Sequence, residues 1–132
     1  MQISILLSGF AAAAASAQSV IPSLWDGECF YPAADIGFDL DSYVNGGRWY
    51  QVAGTVAPFT AACKCIYAQY ALTDEGTVAV NNTCEAAGQA VNIIGAASPA
   101  NATYGANGVL RVQFPGTPEP ECRGPNYIVQ GE

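Results

Sequence analysis

The sequence contains no histidine, and only four of its 132 residues are lysine or arginine. Without histidine, the chain cannot form a Ser-His-Asp triad or a metal or haem site that depends on imidazole ligands. The four cations stand against eleven acidic residues. The sequence therefore lacks both the basic patch of a nucleic-acid-binding protein and the charge that holds proteins on anionic membranes. Any enzyme built on this chain would also lack the commonest acid–base group near neutral pH.

Apolar residues, by contrast, make up 51% of the chain, and charged residues only 11%. This balance is typical of a globular protein rather than a disordered one. The length suits one domain. No pattern in the chain indicates a cofactor, and we expect none.

A short apolar segment opens the chain. It runs from Ile3 to Ala15 and ends in Ala15-Ser16-Ala17, which matches the small-residue cleavage site of a secretory signal. The segment is too short to span a bilayer, so we expect no stable membrane insertion. The sequence predicts a signal peptide over residues 1–17, a mature domain over 18–132 and a secreted, extracellular protein. The alternative is a hydrophobic N-terminal helix that stays attached.

Five cysteines lie in the predicted mature part and are the disulfide candidates: Cys29, Cys63, Cys65, Cys84 and Cys122. Disulfides fit an oxidising compartment, and an odd number leaves at least one cysteine without a partner in this chain. Cys63 and Cys65 would share one face of a strand with Cα atoms roughly 6.5–7 Å apart, at the limit of disulfide reach. Each is therefore expected to pair elsewhere. A zinc site is the alternative, but Cys-x-Cys alone lacks the usual ligand spacing, so we expect no metal.

Two N-glycosylation sequons follow, Asn81-Asn82-Thr83 and Asn101-Ala102-Thr103. Such triplets occur by chance, but they agree with the signal segment and the cysteines. The sequence therefore predicts a secreted glycoprotein with Asn81 and Asn101 as candidate sites.

Short apolar runs separated by turn residues predict an all-β domain. Sequential hairpins favour an up-and-down meander over a Greek key. The predicted strands cover about 49–56, 62–72, 77–85, 89–97, 109–114 and a sixth from 126, with a short 3₁₀ turn near 40–44.

The clearest hairpin lies at Thr73-Asp74-Glu75-Gly76, where the glycine suits a left-handed position. If Thr73 opposes Thr77, then Leu72 faces Val78, Tyr70 faces Val80 and Ile66 faces Cys84. Asn81 then points to the other face, where a glycan has room.

A turn followed by a large aromatic pair stands before the first of these strands, at Gly46-Gly47-Arg48-Trp49-Tyr50. Asp39-Leu40-x-x-Tyr43 precedes it, and Cys65 to Leu72 and Gly76 to Asn81 follow. In this order the motifs resemble those of the lipocalin family, in its branch of apolipoprotein D-like and bacterial lipocalins, with a fungal-type sequence. The resemblance extends to Asn126-Tyr127-Ile128-Val129, which is similar to the opening of the family's sixth strand.

The resemblance implies an up-and-down antiparallel β-barrel sealed at one end by Gly47, Trp49 and Tyr50. Such a barrel has eight strands and a C-terminal helix. We therefore expect a C-terminally truncated, incomplete barrel of about five to six strands, arranged as an open curved sheet or as a dimer through its open edges. In the family an N-terminal cysteine like Cys29 ties to a later strand, and here its partner is expected to be lost. The family's arginine over the motif tryptophan is also expected to be missing above Trp49.

The resemblance also implies a carrier that binds a small apolar ligand, such as a fatty acid, a retinoid or a sterol-like molecule, in the barrel pocket. Either strand face could line that pocket, so the candidate ligand-binding residues come from both: Val52, Tyr67, Tyr70, Leu72, Val80, Ile93, Leu110, Val112 and Phe114. One alternative is a small cysteine-rich interaction or effector-like protein without a ligand. The other is an enzyme, but Asp74-Glu75 and Glu119-Pro120-Glu121 are more simply a turn and a loop than an acid–base pair. We expect no enzyme and no catalytic residue.

Overall fold

The computed structural model describes residues 22–55 and 60–131. The predicted signal peptide, over 1–17, lies outside these residues. Within them the chain forms a two-stranded sheet, a six-stranded antiparallel sheet and one short α-helix. In chain order the elements are β1 (Ser23–Trp25), β2 (Phe30–Pro32), α1 (Leu40–Asn45), β3 (Arg48–Tyr50), β4 (Lys64–Leu72), β5 (Val78–Ala86), β6 (Gln89–Pro99), a 3₁₀ helix (Ala102–Tyr104), β7 (Val109–Gln113) and β8 (Tyr127–Ile128).

The six-stranded sheet is an up-and-down meander. Strands β3 to β8 pair in sequential order, and each runs antiparallel to the next. The predicted topology is confirmed, and the strand number agrees with the expected five to six. The sheet curls into a half-barrel, and within the described residues its outer strands β3 and β8 do not pair with each other.

The hairpin between β4 and β5 forms at the predicted turn. Gly76 has φ +75°, a conformation that costs a glycine little because it has no Cβ. The predicted register is confirmed next to the turn, since Leu72 pairs with Val78 and Tyr70 with Val80. Because side chains alternate along a strand, this register fixes which residues of β4 and β5 share a face.

Further along the same pair of strands, the register shifts at a β-bulge. The ladder is interrupted between Lys64 and Tyr67, so the predicted pair of Ile66 and Cys84 gives way to two residues facing one. Cys65 lies in the bulge with φ +51°. The predicted alternation, which put Cys63 and Cys65 on one face, fails for this reason.

Strand β3 is shorter than the sequence predicts. It ends at Tyr50, which pairs with Tyr67, the residue next to the bulge. One more backbone bond follows, from Gln51 N to Ile66 O at 2.9 Å. The chain then leaves the sheet, and Val52 is 98% exposed. The bulge removes the regular partner that β3 would need to continue toward residue 56, the predicted end, which lies outside the described residues.

A full α-helical turn replaces the predicted 3₁₀ turn before β3. Asp39 caps α1, and its carboxylate accepts a hydrogen bond from Ser42 N at 2.7 Å. The backbone N–H of Tyr43 bonds Asp39 O at 3.0 Å, which is the four-residue spacing of an α-helix. The sequence prediction missed the contribution of this aspartate cap, which satisfies an N–H left over at the helix start.

A hairpin that the sequence did not predict precedes the helix. Strands β1 and β2 pair antiparallel, with Ser23 opposite Pro32. The rings of Trp25 and Phe30 lie 4.5 Å apart, and both side chains are largely exposed, at 53% and 71%. Two strands of three residues with a terminal proline carry too little alternation to stand out in a sequence.

Two disulfides fasten the described chain. Cys29 bonds Cys122, so the expectation that Cys29 had lost its partner is wrong. Cys63, the residue before β4, bonds Cys84 of β5, as expected for Cys63. The expectation that Cys65 also pairs is wrong, because Cys65 is unpaired and exposed. The first bridge spans 93 residues, and closing so long a loop in the unfolded chain is worth about 4–5 kcal/mol in the chain-entropy account.

The core lies between α1 and the inner face of the sheet. One cluster joins the helix to β5, β6 and β7 through Val44, Val78, Val80, Ala97 and Leu110. A second cluster joins the helix to the end of the chain through Phe38, Tyr43 and Val129. The helix therefore covers one end of the inner face and leaves the remainder open.

Trp49 attaches the start of the sheet to this helix. Its ring stacks on Tyr43 at 4.5 Å, and its Nε1 donates a hydrogen bond to Tyr43 O at 2.9 Å. Gly46 makes room for the indole, since a Cβ there would lie 2.7 Å from Trp49 Cζ2.

Replacing Trp49 by alanine should lower the free energy of unfolding by about 3 kcal/mol, because both the ring packing and the hydrogen bond are lost. The matched control is Trp25→Ala, which removes an exposed indole and should cost about 1 kcal/mol or less. Urea unfolding of both variants measures the difference. Equal losses would show that Trp49 does not anchor the sheet.

Candidate functional site

The inner, concave face of the six-stranded sheet is the candidate site. The strand registers bring even-numbered residues of β4, β5 and β7 and odd-numbered residues of β6 to this face. Trp49 of β3 joins them opposite Ala68, and Tyr127 of β8 joins them opposite Leu110. The result is a curved surface that is mostly apolar.

Two adjoining hollows lie on the concave face. The first has a volume of about 500 Å³ and is bordered by Trp49, Ala68, Val91 and Ile93, among others. The second has about 310 Å³ and lies toward Val112, Phe114 and the loop after β7. Both volumes fall within the range of small-molecule sites, and apolar side chains dominate both linings.

Gly95 of β6 leaves space for the end of β7 and for the Phe114 ring, which lie against it. A Cβ at this position would lie 2.5 Å from both Gln113 O and Phe114 Cδ1. Only the missing side chain lets the Phe114 ring lie over the strand, where it borders the second hollow.

Three tyrosines, here called the tyrosine cluster, separate the two hollows: Tyr43, Tyr70 and Tyr127. The hydroxyls of Tyr43 and Tyr127 are 2.7 Å apart, and the Tyr70 hydroxyl lies 3.2 Å from Tyr127 and 3.5 Å from Tyr43. Tyr70 and Tyr127 border both hollows. Burial raises the pKa of Tyr70 well above its usual range, and its hydrogen bonds to Tyr127 and Tyr43 raise it further.

Asn82 is the other polar side chain that borders both hollows. It is half-buried and pairs with Ala68 on one side and Ile93 on the other. Among the described residues its side-chain amide has no hydrogen-bond partner. It therefore offers a donor and an acceptor to anything that occupies the concave face.

The cations of the chain lie away from this face. The Arg48 guanidinium lies 4.7 Å from the Tyr67 ring centre on the opposite face. Arg111 donates to the carbonyls of residues 122–124 and to Glu119 at 3.2 Å. Lys64 is exposed at the start of β4, and Arg123 is exposed beside Glu28.

Most of the predicted ligand-binding residues border one of the hollows. Those whose side chains face them are Tyr70, Val80, Ile93, Leu110, Val112 and Phe114. Tyr67 touches the first hollow, but its ring packs against Tyr50 at 5.7 Å on the opposite face. Val52 and Leu72 border neither hollow and are 98% and 46% exposed. Their role in binding stays a prediction.

The residues predicted to seal one end of the barrel, Gly47, Trp49 and Tyr50, also differ in their positions relative to the hollows. Gly47 takes φ +82° in the turn, and Trp49 and Tyr50 both border the first hollow, although Tyr50 is 59% exposed. The sequence prediction missed Asn82, Tyr127 and Ala97. Extending the correct pairing of Tyr70 and Val80 by two residues would have placed Asn82 on the same face.

Among the described residues, no group of His, Cys, Asp and Glu side chains is arranged to hold a metal ion. Within the same ranges, no helix has the length and apolar character needed to cross a membrane.

Comparison with known proteins supplies a family. A profile of the family described as "Lipocalin-like domain" matches residues 38–131. Apolipoprotein D from Bos taurus is 35% identical over 89 residues, and apolipoprotein D from Macaca fascicularis is 36% identical over the same length. Each alignment covers 67% of this chain and 44% of the relative, so the chain spans less than half the length of these proteins.

The tyrosine cluster should make the free energy of unfolding fall as the pH rises through the alkaline range. Because the pKa of Tyr70 is raised in the folded state, its contribution is fully present below the pKa of an unfolded tyrosine, about 10. The contribution is lost as the pH rises toward the folded value. We expect the free energy of unfolding to fall between pH 9 and pH 11, and to fall less in Tyr70→Phe. Chemical denaturation in a Cys65→Ser background, which prevents thiol exchange at high pH, measures both. If the free energy of unfolding fell equally steeply with pH in both proteins, the prediction would be contradicted.

Proposed function

Because the chain belongs to the lipocalin family, we propose that it is a secreted carrier that holds a small hydrophobic molecule on the concave face of its sheet. The ligand class is that of fatty acids, retinoids or sterol-like molecules. Members of the family are generally carriers rather than enzymes, and we propose no catalytic residue.

One observation carries the proposal: the concave face has two adjoining, mostly apolar hollows that the side chains of the described residues, 22–55 and 60–131, do not fill. A domain that used this face only as a core would pack it to the density of other protein interiors. An apolar molecule that entered would gain about 25 cal/mol for each Å² it buries.

Secretion is supported by independent features of the chain. Two disulfides form, and such bonds persist in oxidising compartments. The apolar N-terminal segment and the two sequons agree with that compartment. The Asn101 sequon lies in an exposed loop before the 3₁₀ helix, while Asn81 is half-buried beside Asn92.

The alternative is a small interaction protein without a ligand. The exposed aromatic pair of Trp25 and Phe30 on the N-terminal hairpin favours it, because large exposed apolar side chains often mark contact surfaces. Within the described residues, the outer edges of β3 and β8 pair with no strand, which also supports association of two copies, since free backbone groups favour strand pairing.

Titration with a panel of fatty acids and a retinoid tests the carrier function. The Trp25→Phe variant leaves Trp49, at the edge of the first hollow, as the only tryptophan. We expect saturable quenching at one ligand per chain. Ala68→Phe fills the first hollow and should weaken binding about tenfold or more, whereas Ala71→Phe, on the opposite face of β4, should not.

Absence of binding across the panel would leave the interaction protein as the better proposal. Sedimentation of the same samples gives the number of chains in each particle. A dimer through the sheet edges would bind with the same stoichiometry but twice the mass.

Expression through a eukaryotic secretory pathway tests the glycan. We expect Asn101 to be modified, because its loop is exposed and its side chain already bonds Thr103 in a compact turn. Asn101→Gln and Thr103→Ala should remove the same mass, which an intact-mass spectrum measures. Asn81→Gln serves as the comparison at the half-buried sequon. A secreted chain of unmodified mass would contradict the proposal.

A further inference from the structure

We infer that the concave face selects neutral ligands, with an alcohol, carbonyl or amide group on an apolar body, over ligands that carry a carboxylate. The inference rests on the proposed carrier function and names the ligand class within it. It follows from the charges and the hydrogen-bonding groups that the described residues place on this face.

No cation borders either hollow in the part of the chain that the structure describes. The chain has only four lysines and arginines, and all four lie elsewhere: Arg48, Lys64, Arg111 and Arg123. The sequence has no histidine, and residues 56–59 contain no ionisable side chain. A carboxylate on the concave face would thus lose its hydration without gaining an ionic partner, which is costly in an apolar site.

The electrostatic field of the whole chain acts in the same direction. The formal net charge is −7, which repels an anion approaching from solvent. At the boundary of the hollows, the burial that raises the pKa of Tyr70 also disfavours any other negative charge.

Neutral hydrogen-bonding groups, in contrast, stand at the centre of the face. The hydroxyls of Tyr43 and Tyr127 form a short hydrogen bond of 2.7 Å. The Tyr70 hydroxyl lies 3.2 Å from that of Tyr127 and 3.5 Å from that of Tyr43, and both distances exceed the usual range for O–H···O bonds. Because these two hydrogen bonds are long, the Tyr70 hydroxyl gives up less than the Tyr43 or Tyr127 hydroxyl would when it turns toward a ligand. The amide of Asn82 adds a second group that both donates and accepts.

The location of these groups fixes how such a ligand would lie. Tyr70, Asn82 and Tyr127 border both hollows, so the polar group of the ligand would sit between them. Its apolar body would extend into the larger hollow past Ala68 and Ile93, or into the smaller one toward Val112.

Retinol and retinoic acid provide a matched pair, because they share one skeleton and differ in an alcohol against a carboxylate. At pH 8 in the Trp25→Phe variant, retinol should bind at least tenfold more tightly than retinoic acid. Hexadecanol and palmitate, measured by displacement of retinol, should show the same order. Equal or tighter binding of the acids would overturn the inference and leave the carrier function standing. Failure of all four to bind would instead overturn the carrier function.

Two substitutions test the physical cause. Tyr70→Phe should weaken retinol about fivefold to tenfold, the usual cost of one hydrogen bond. Tyr104→Phe is its control, because that hydroxyl bonds Asp26 at 2.9 Å outside both hollows. Unchanged retinol affinity in Tyr70→Phe would show that the Tyr70 hydroxyl does not bond the ligand.

Ile93→Lys supplies the missing cation on the concave face and should reverse the preference toward retinoic acid. Ile94→Lys, one residue along β6 on the exposed opposite face, should leave the preference unchanged. If both lysine variants still bind retinol more tightly than retinoic acid, as the parent protein should, charge does not decide ligand choice and the inference fails. Circular dichroism of each variant verifies that the sheet is intact.

Discussion

Tyr43 connects the two ends of the sheet, and the remaining architecture depends on that connection. Its ring stacks on Trp49 of β3, the first strand, and its backbone carbonyl accepts the indole N–H. Its hydroxyl lies 2.7 Å from that of Tyr127 on β8, the last strand. One helical residue thus spans the open side of a six-stranded sheet that is not closed by strand pairing within the described residues. Because Tyr43 is buried, these contacts are protected from competition with water.

The same residue explains why the polar centre of the concave face is ordered. A tyrosine hydroxyl on a single strand could adopt several rotamers, but Tyr43 is fixed by the helix and by Phe38, whose ring meets it edge-on at 5.2 Å. Tyr70 and Tyr127 then pack against a fixed partner. The neutral hydrogen-bonding site and the stability of the half-barrel therefore share one set of contacts, and a change to either affects the other.

Much of the sheet could be predicted from the sequence, because short-range rules decide it. The turn at residues 73–76 and the alternation on either side set the register of β4 and β5, and this register continues through most of the sheet. The bulge at Cys65 could not be predicted, since a left-handed non-glycine residue leaves no signal in composition. The same bulge shortened β3, carried Val52 away from the sheet and moved Cys65 off the face on which the alternation had placed it with Cys63. The pairing of Cys29 with Cys122 joins residues 93 apart and depends on tertiary structure alone. For the candidate site, the apolar residues of the strands were found from sequence patterns. Asn82 was missed because a search for apolar residues passes over an amide, although the predicted register, extended by two residues, places it on the same face.

Gly95 has a consequence for how the width of the concave trough can change during evolution. The absent side chain lets the end of β7 and the Phe114 ring lie close against β6, where a Cβ would be 2.5 Å from Gln113 O and from Phe114 Cδ1. In a homologue with any larger residue at this position, β7 would have to stand further out, and the trough would widen without any change in the residues that line it. Position 95 would therefore set the width of the concave face, and it should covary with the bulk of the residue at position 114.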